Sequence, residues 1–448
     1  MANSRKPKSI ELPGVVAAVL APAISPGSDV VLALSGGVDS VTLLSILHEL
    51  APVLNFSLRA IHVNHGISVN AARWAEFCVR VCRNMHIPLQ VVEVNIEPFK
   101  NEGLEGAARR ARYQALTDVK ADAIVLAHHR DDQAETLLLQ MLRGAGMRGL
   151  AAMPVERSLP GSRAKLLRPF LHVSRAEIET CARSRSLEWV EDESNIDTAR
   201  GRNFLRYEIL PLLERNFPGT RAAIARSAAH AAEAALLLDE MARTDLHRGG
   251  DDIRIEFLRE IGTARAKNVL RHACELRGIR MPGTAQLDEL LRQLLEARYD
   301  AVIGFTMSNW QLHRYDGKLH FEQPRKRSDV TLRAHWNGEN TLLLIDFGGT
   351  LKFKPEEGRG LSVKKLHREP VTVRLRQGGE MLQPDGRRPR RTLKNLFQEK
   401  RIPPWRRDRL PLLYCGENLV WVPGLGEDCG FQAAPGEPGL IVTWEPLA

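Results

Sequence analysis

An apolar run, Asp29-Val30-Val31-Leu32-Ala33-Leu34, leads into Ser35-Gly36-Gly37-Val38-Asp39-Ser40, and helical spacing of apolar residues follows from Val41 to Leu50. No other stretch constrains the fold as tightly. A buried strand, a Gly-rich turn and a helix N-terminus predict an anion cradle. Gly36 and Gly37 allow the backbone to turn sharply and come close to a ligand. The unpaired N–H groups of the first helical turn, where Val38 sits, point at the anion. Ser35 and Ser40 add hydroxyl donors. No Lys follows Gly37, so the run is not a G-x-x-x-x-G-K-[ST] loop. Asp39 would repel a bound phosphate unless a divalent cation lay between them. A tight strand-to-helix turn with Ser and Asp as caps would use the same residues.

Further strands are predicted at Leu58–Val63, Leu89–Val94 and Asp122–Ala127, with a helix over Ala71–Met85 between the first two. Ligands of parallel sheets sit at the carboxyl ends of strands. Asn64 and His65 follow one such end, and His128, His129, Asp131 and Asp132 follow another. So many titratable groups in one place favour a functional site. A helix starting near Glu105 carries Arg109 and Arg112 three apart, spaced to clamp a phosphate together or simply to form a solvated basic face. Gly144 to Gly149 fits G-x-G-x-x-G but follows a helix, which argues for a loop and against a dinucleotide site. Leu166–Phe170, with Pro169, reads as an edge or loop. Ser174-Arg175-Ala176-Glu177 is a capping box that opens a helix.

The chain has 448 residues and a net charge of +9, which favours a polyanionic partner. Its six cysteines form no C-x-x-C, as suits a reducing cytoplasm without a metal ribbon or disulfide framework. Val15–Ala23 loosely imitates a signal peptide, but Glu11 and the early core strand favour a short helix on the sheet edge. No run has the length of a membrane span. The residues from Arg374 to Arg409 hold twelve Lys or Arg against four Asp or Glu, so most of the net charge is local. Arg387, Arg388, Arg390, Arg391 and Lys394 centre this block. With Phe397 and Trp405 nearby, it suits a folded RNA backbone and base stacking.

S-G-G-V-D-S resembles the pyrophosphate loop of the N-type ATP pyrophosphatases. H-V-N-H-G-I, L-E-G-A-A-R-x-A-R-Y, A-H-H-R-D-D-Q-A-E-T, R-G-A-G-M-R-G-L and E-D-E-S-N…R-N-F-L-R follow it in order between residues 30 and 215. Together these blocks resemble the tRNA(Ile)-lysidine synthetases, as does the stretch from R-L-R-Q-G-G-E to V-W-V-P-G-L-G. The resemblance implies an α/β fold: a doubly wound parallel sheet in a catalytic domain (1–216), then a helical connector (217–245). A small α+β middle domain (246–325), a linker with strands (326–370) and a basic α+β C-terminal domain (371–448) follow.

It also implies a reaction. ATP adenylates the wobble cytidine of the CAU anticodon of tRNA(Ile), and free L-lysine then displaces AMP. Ser35, Gly36, Gly37, Val38, Asp39, Ser40, Asn64 and His65 are expected to hold ATP, with Mg2+ at Asp39. Arg109 and Arg112 would balance the α-phosphate. His128 and Asp132 would orient groups and transfer protons, His128 as the better base. Asp192, Ser194, Asn195, Arg202, Asn203 and Arg206 would meet the substrate, and Asp131, Glu135 and Asp192 are offered as a lysine pocket. A cytoplasmic location without membrane contact is expected, with a homodimer left open. A small-molecule amide synthetase would leave the basic block unexplained. A purely tRNA-binding protein would leave His128, Asp132 and Arg112 unexplained.

Overall fold

The computed structural model describes residues 11–191, 201–249, 253–297, 303–307, 309–323 and 332–447. The chain forms two compact units, Met1–Glu240 and Met241–Ala448. The first contains, in order, α1 (Leu12–Leu20), β1 (Asp29–Ala33), α2 (Val38–Leu54), β2 (Ser57–Asn64), α3 (Ala71–Asn84) and β3 (Leu89–Glu93). Next come α4 (Gly103–Thr117), β4 (Ala123–Val125), α5 (Arg130–Leu142), α6 (Met147–Leu150), β5 (Glu156–Ser158), β6 (Lys165–Leu167) and α7 (Arg175–Ser184). Then follow α8 (Gly201–Phe204), α9 (Leu210–Asn216) and α10 (Thr220–Gly249), the last running past the end of the unit.

The sheet order is β3-β2-β1-β4-β6-β5. All neighbours are parallel except the hairpin pair β5 and β6. Alternation along β1 explains the two layers. Val30 and Leu32 pack with Leu43, Leu47, Phe77 and Ile178 from α2, α3 and α7. Val31 packs on the other face with Leu116 of α4, Ile124 and Leu166. This is the doubly wound sheet expected from the sequence.

Three local expectations need correction. Leu12, Val16 and Leu20 of α1 enter the core shared with α2, so α1 lies on a face of the sheet and not at its edge. Leu166 and Leu167 belong to an inner strand, and the sheet edge is β5. The second half of the G-x-G-x-x-G run is a helical turn, α6, with Gly146 as its N-cap. A Cβ on Gly149 would come within 2.5 Å of the Ala145 Cβ, which accounts for that glycine.

In the second unit, Leu270, Leu287, Leu290 and Leu294 from the helices Gly262–Leu276 and Thr284–Glu296 pack on Leu312 and Leu319 of an antiparallel sheet. The turn Asp316-Gly317 joins two of its strands with φ of 49° and 70°, as a type I′ turn requires. Residues 332–370, within the stretch 326–370 expected as a linker with strands, contribute strands to the C-terminal sheets. Arg333–Trp336 pairs with Val371–Arg374, and Gly349–Glu357 pairs with Pro438–Pro446. The polar run from Pro324 to Arg327 lies outside the described residues.

Candidate active site

The carboxyl ends of β1, β2 and β4 bring three of the expected groups together. After β1 the loop builds its own frame. The N–H groups of Ser35 and Gly36 donate to Ser40 Oγ, both at 3.2 Å, and Ser40 Oγ donates to Gly37 O at 3.0 Å. Ser40 is therefore a buried brace for the cradle, not the free donor expected, while Ser35 is exposed. Gly36 has φ +88°, and a Cβ there would sit 3.0 Å from Val190 Cγ2. Gly37 caps α2 without a side chain, which leaves the first-turn amides open to an anion.

Asp39 stands in that first turn. Burial raises its pKa and Asp132 adds to the rise, while His129 opposes it. Its Oδ1 is buried with no hydrogen-bond partner. A bare carboxylate oxygen beside a phosphate cradle fits a divalent cation bridging protein and ligand.

His129 connects this loop to the next one. It caps α5, its Nδ1 accepting the Asp131 N–H at 3.2 Å, so its proton sits on Nε2. Nε2 lies 3.7 Å from Asp39 Oδ2 and 3.5 Å from Asp132 Oδ2. Asp132 completes the capping box by accepting the His129 N–H at 3.0 Å. Its Oδ1 accepts Nη2 of Arg202 at 3.1 Å and Nη2 of Arg206 at 3.0 Å. Burial alone would raise the Asp132 pKa, but His129, Arg202, His128 and Arg206 hold it far below the usual carboxylate range. The same two arginines grip the fully buried Glu135, Arg202 Nε at 2.7 Å and Arg206 Nε at 2.5 Å.

This network corrects several expectations. Asp132 is held ionised with both oxygens engaged by His129, Arg202 and Arg206, an arrangement that suits orientation where proton transfer was expected. Arg202 and Arg206 serve the buried carboxylates, and Asn203 is itself buried. Asp131 accepts the Arg175 N–H and pairs with Arg221, each at 2.9 Å. Asp131 and Glu135 are therefore already neutralised and do not form a vacant pocket for lysine. Asp192, Ser194 and Asn195 lie outside the described residues.

On the other side of Asp132 the charge is positive. The Arg112 pKa is lowered by burial, against attraction from Tyr113 and Asp132. His65 is pushed down to about 4 by burial and by Arg112. Asn64 accepts the Gly66 N–H and shapes this loop. His128 is pushed down to about 3, by burial first, with Arg168, Arg112 and Arg202 adding to it. Arg168 Nε donates to its Nδ1 at 3.2 Å. His128 is thus neutral, with its remaining proton on Nε2. In this arrangement Nε2 is a hydrogen-bond donor, where a general base was expected. Arg109 lies exposed with Cζ 5.1 Å from the Tyr113 ring centre, and its charge adds to the lowering of the Arg112 pKa.

Arg168 was missed in the sequence, and His129 was named there only as a member of the titratable cluster, without a role. The clue to Arg168 was a charge inside the apolar run Leu166–Val173; the clue to His129 was a capping residue three before an Asp.

In the second unit the basic block is only partly free. Arg390 donates to the buried Asp428 at 2.8 Å, and Arg388 and Arg391 share Glu399 at 3.3 and 2.8 Å. Arg387 and Lys394 are exposed without a carboxylate partner among the described residues. The expected stacking groups are occupied. Phe397 is fully buried, and Trp405 stacks on His313 with ring centres 4.1 Å apart.

The PP-loop domain family matches residues 15–213, the TilS substrate binding domain 254–320 and the TilS substrate C-terminal domain 371–444. A tRNA(Ile)-lysidine synthase from Nitrosomonas europaea is 43% identical, covering 94% of this chain and 93% of its own. Those of Coxiella burnetii and Azoarcus sp. are each 39% identical, covering 94% and 98% of this chain and 94% and 97% of their own. With all three domains matched in order and relatives aligned almost end to end, the chain belongs to the tRNA(Ile)-lysidine synthase family.

Proposed function

We propose that the chain joins free L-lysine to C2 of the wobble cytidine in the CAU anticodon of tRNA(Ile), consuming ATP and releasing AMP and pyrophosphate. The observation that carries this reading is a junction of opposites. A phosphate cradle with a bare Asp39 oxygen lies next to a cationic wall of Arg112, Arg168 and neutral histidines.

The cytidine O2 attacks the α-phosphorus, and the bond to the β-phosphate bridging oxygen breaks. The lysine ε-amine then adds to C2 and the C2–O bond to AMP breaks. The loop amides and the α2 N-terminus hold the β- and γ-phosphates. Asp39 would hold Mg2+, which would neutralise the phosphates and the departing pyrophosphate. Arg112 faces the charge that develops on the α-phosphate. His128 donates through Nε2 and fixes the orientation of the reacting groups. The amine proton leaves by another acceptor, because His128 and Asp132 are both too acidic to take it. Arg387 and Lys394 contribute to the RNA grip. A cytoplasmic location suits free thiols and a tRNA substrate.

The test is pyrophosphate release with purified protein, ATP, magnesium, lysine and unmodified CAU-anticodon isoleucine tRNA, omitting each in turn, with labelled lysine followed into RNA. Release that requires tRNA, with lysine entering the RNA, is expected. Release without tRNA would replace this reading with a small-molecule synthetase.

A further inference from the structure

Arg168 is 1% exposed, yet its guanidinium meets only neutral acceptors: His128 Nδ1 at 3.2 Å, Pro154 O at 2.7 Å and Tyr113 Oη at 3.4 Å. Among the described residues the next cations outward also have no carboxylate partner. Arg109 and Arg157 each place Cζ 5.1 Å from the centre of the Tyr113 ring, and Arg157 Nε is buried with no hydrogen-bond partner. Charge buried as deeply as that of Arg168, with no carboxylate beside it, is costly unless an anion arrives, whereas Arg109 is exposed and Arg157 half-buried, open to such an anion. The order of these groups gives a direction. His128 stands at the carboxyl end of β4, Arg168 just beyond β6, Tyr113 on α4, and Arg157 on the edge strand β5. The cations form a track from the reaction centre to the sheet edge, away from the cradle between β1 and α2.

We propose that Arg109 and Arg157, with Tyr113 between β5 and α4, bind a backbone phosphate of the RNA next to the nucleotide being modified. This rests on the lysidine reading above. Arg168 carries the positive potential inward and ties that phosphate site to the orientation of His128. A single-stranded loop enters over β5, and the phosphate that flanks the target base supplies the charge the arginines lack. The same contact would favour a polynucleotide over a free nucleoside, which has no phosphate.

Arg157→Ala in the full chain tests this by tRNA binding across a salt series. Affinity for unmodified CAU-anticodon isoleucine tRNA is expected to fall about tenfold near 0.1 M salt, and the slope of log affinity against log salt to shrink by about 0.7. Arg157→Lys, which keeps the charge, should restore the slope. Affinity for a non-hydrolysable ATP analogue should not change. Equal tRNA affinity and slope in Arg157→Ala would overturn the proposal. So would a loss confined to the ATP analogue, which would assign the cluster to the nucleotide's own phosphates. Should Arg157→Ala lower thermal stability, Arg157→Gln keeps the stem and the same outcomes decide. A wild-type chain that binds no tRNA would defeat the lysidine reading itself. A wild type that incorporates lysine, beside a variant with unchanged tRNA affinity, would defeat only this inference.

Discussion

Asp39 shows how a single oxygen atom can define a site. Its Oδ2 faces His129, while its Oδ1 is buried with nothing to accept from. Asp39→Asn keeps the shape and removes the charge. Turnover is expected to fall by a factor of about 1,000 or more in the lysine-incorporation assay, with tRNA affinity within about twofold of wild type. Gly36 is the other residue whose identity the loop dictates. Its φ of +88° and the 3.0 Å approach of Val190 leave no room for a methyl group. Gly36→Ala should cost about 1–3 kcal/mol in urea unfolding. Both residues were legible in the sequence, because loop chemistry is local. The roles of His128 and Asp132 were not. Residue type suggested a base and a proton carrier, whereas burial sets the protonation of His128 first, with Arg168 adding to it, and His129 with Arg202, 70 residues away, sets that of Asp132.

Elements here are fastened by charge as well as by apolar packing. α5 presents Asp132 and Glu135 to Arg202 and Arg206 across a gap of about 70 residues in sequence. The turn between α8 and α9, Leu205–Ile209, is a π-helix, a geometry common at functional sites. Arg206→Ala leaves a buried carboxylate short of its counter-ion. A loss of about 3–5 kcal/mol is expected in equilibrium unfolding, where an exposed pair would give under 1. An undiminished midpoint would show that the network is dispensable. Strands β1 to β4 and the helices between them were readable from apolar periodicity, whereas β5 and β6 were not. The ion-pair partners were not, since an Arg/Asn-rich helix start looks the same whether it faces RNA or a buried glutamate. The same ambiguity hid Trp405, whose ring is covered by His313.

For the molecule as a whole, two histidines couple the site to stability. His65 and His128 titrate near 6.5 in the unfolded chain but at about 4 and about 3 in the folded one. Between those values the unfolded state binds more protons, so stability falls as pH drops below 6.5, by at most about 2 kcal/mol per ring at pH 5. Urea midpoints measured from pH 8 to 5 should decline, and His65→Gln with His128→Gln should flatten the decline. The family's three-domain order was visible in sequence blocks, but the reach of the last domain was not. Pairing of Gly349–Glu357 with Pro438–Pro446 joins residues at least 81 apart (Glu357 with Pro438), a distance that periodicity cannot see. That pairing also bears on synthesis. The N-terminal sheet has all its strands once Leu167 has left the ribosome. Gly349–Glu357 must wait for its partner, roughly 4–16 s at ordinary elongation rates. Over that interval Leu351 and Phe353, both destined for the core, have no cover from the strand that will hide them. Nascent-chain aggregation and chaperone capture should therefore concentrate in the last fifth of translation.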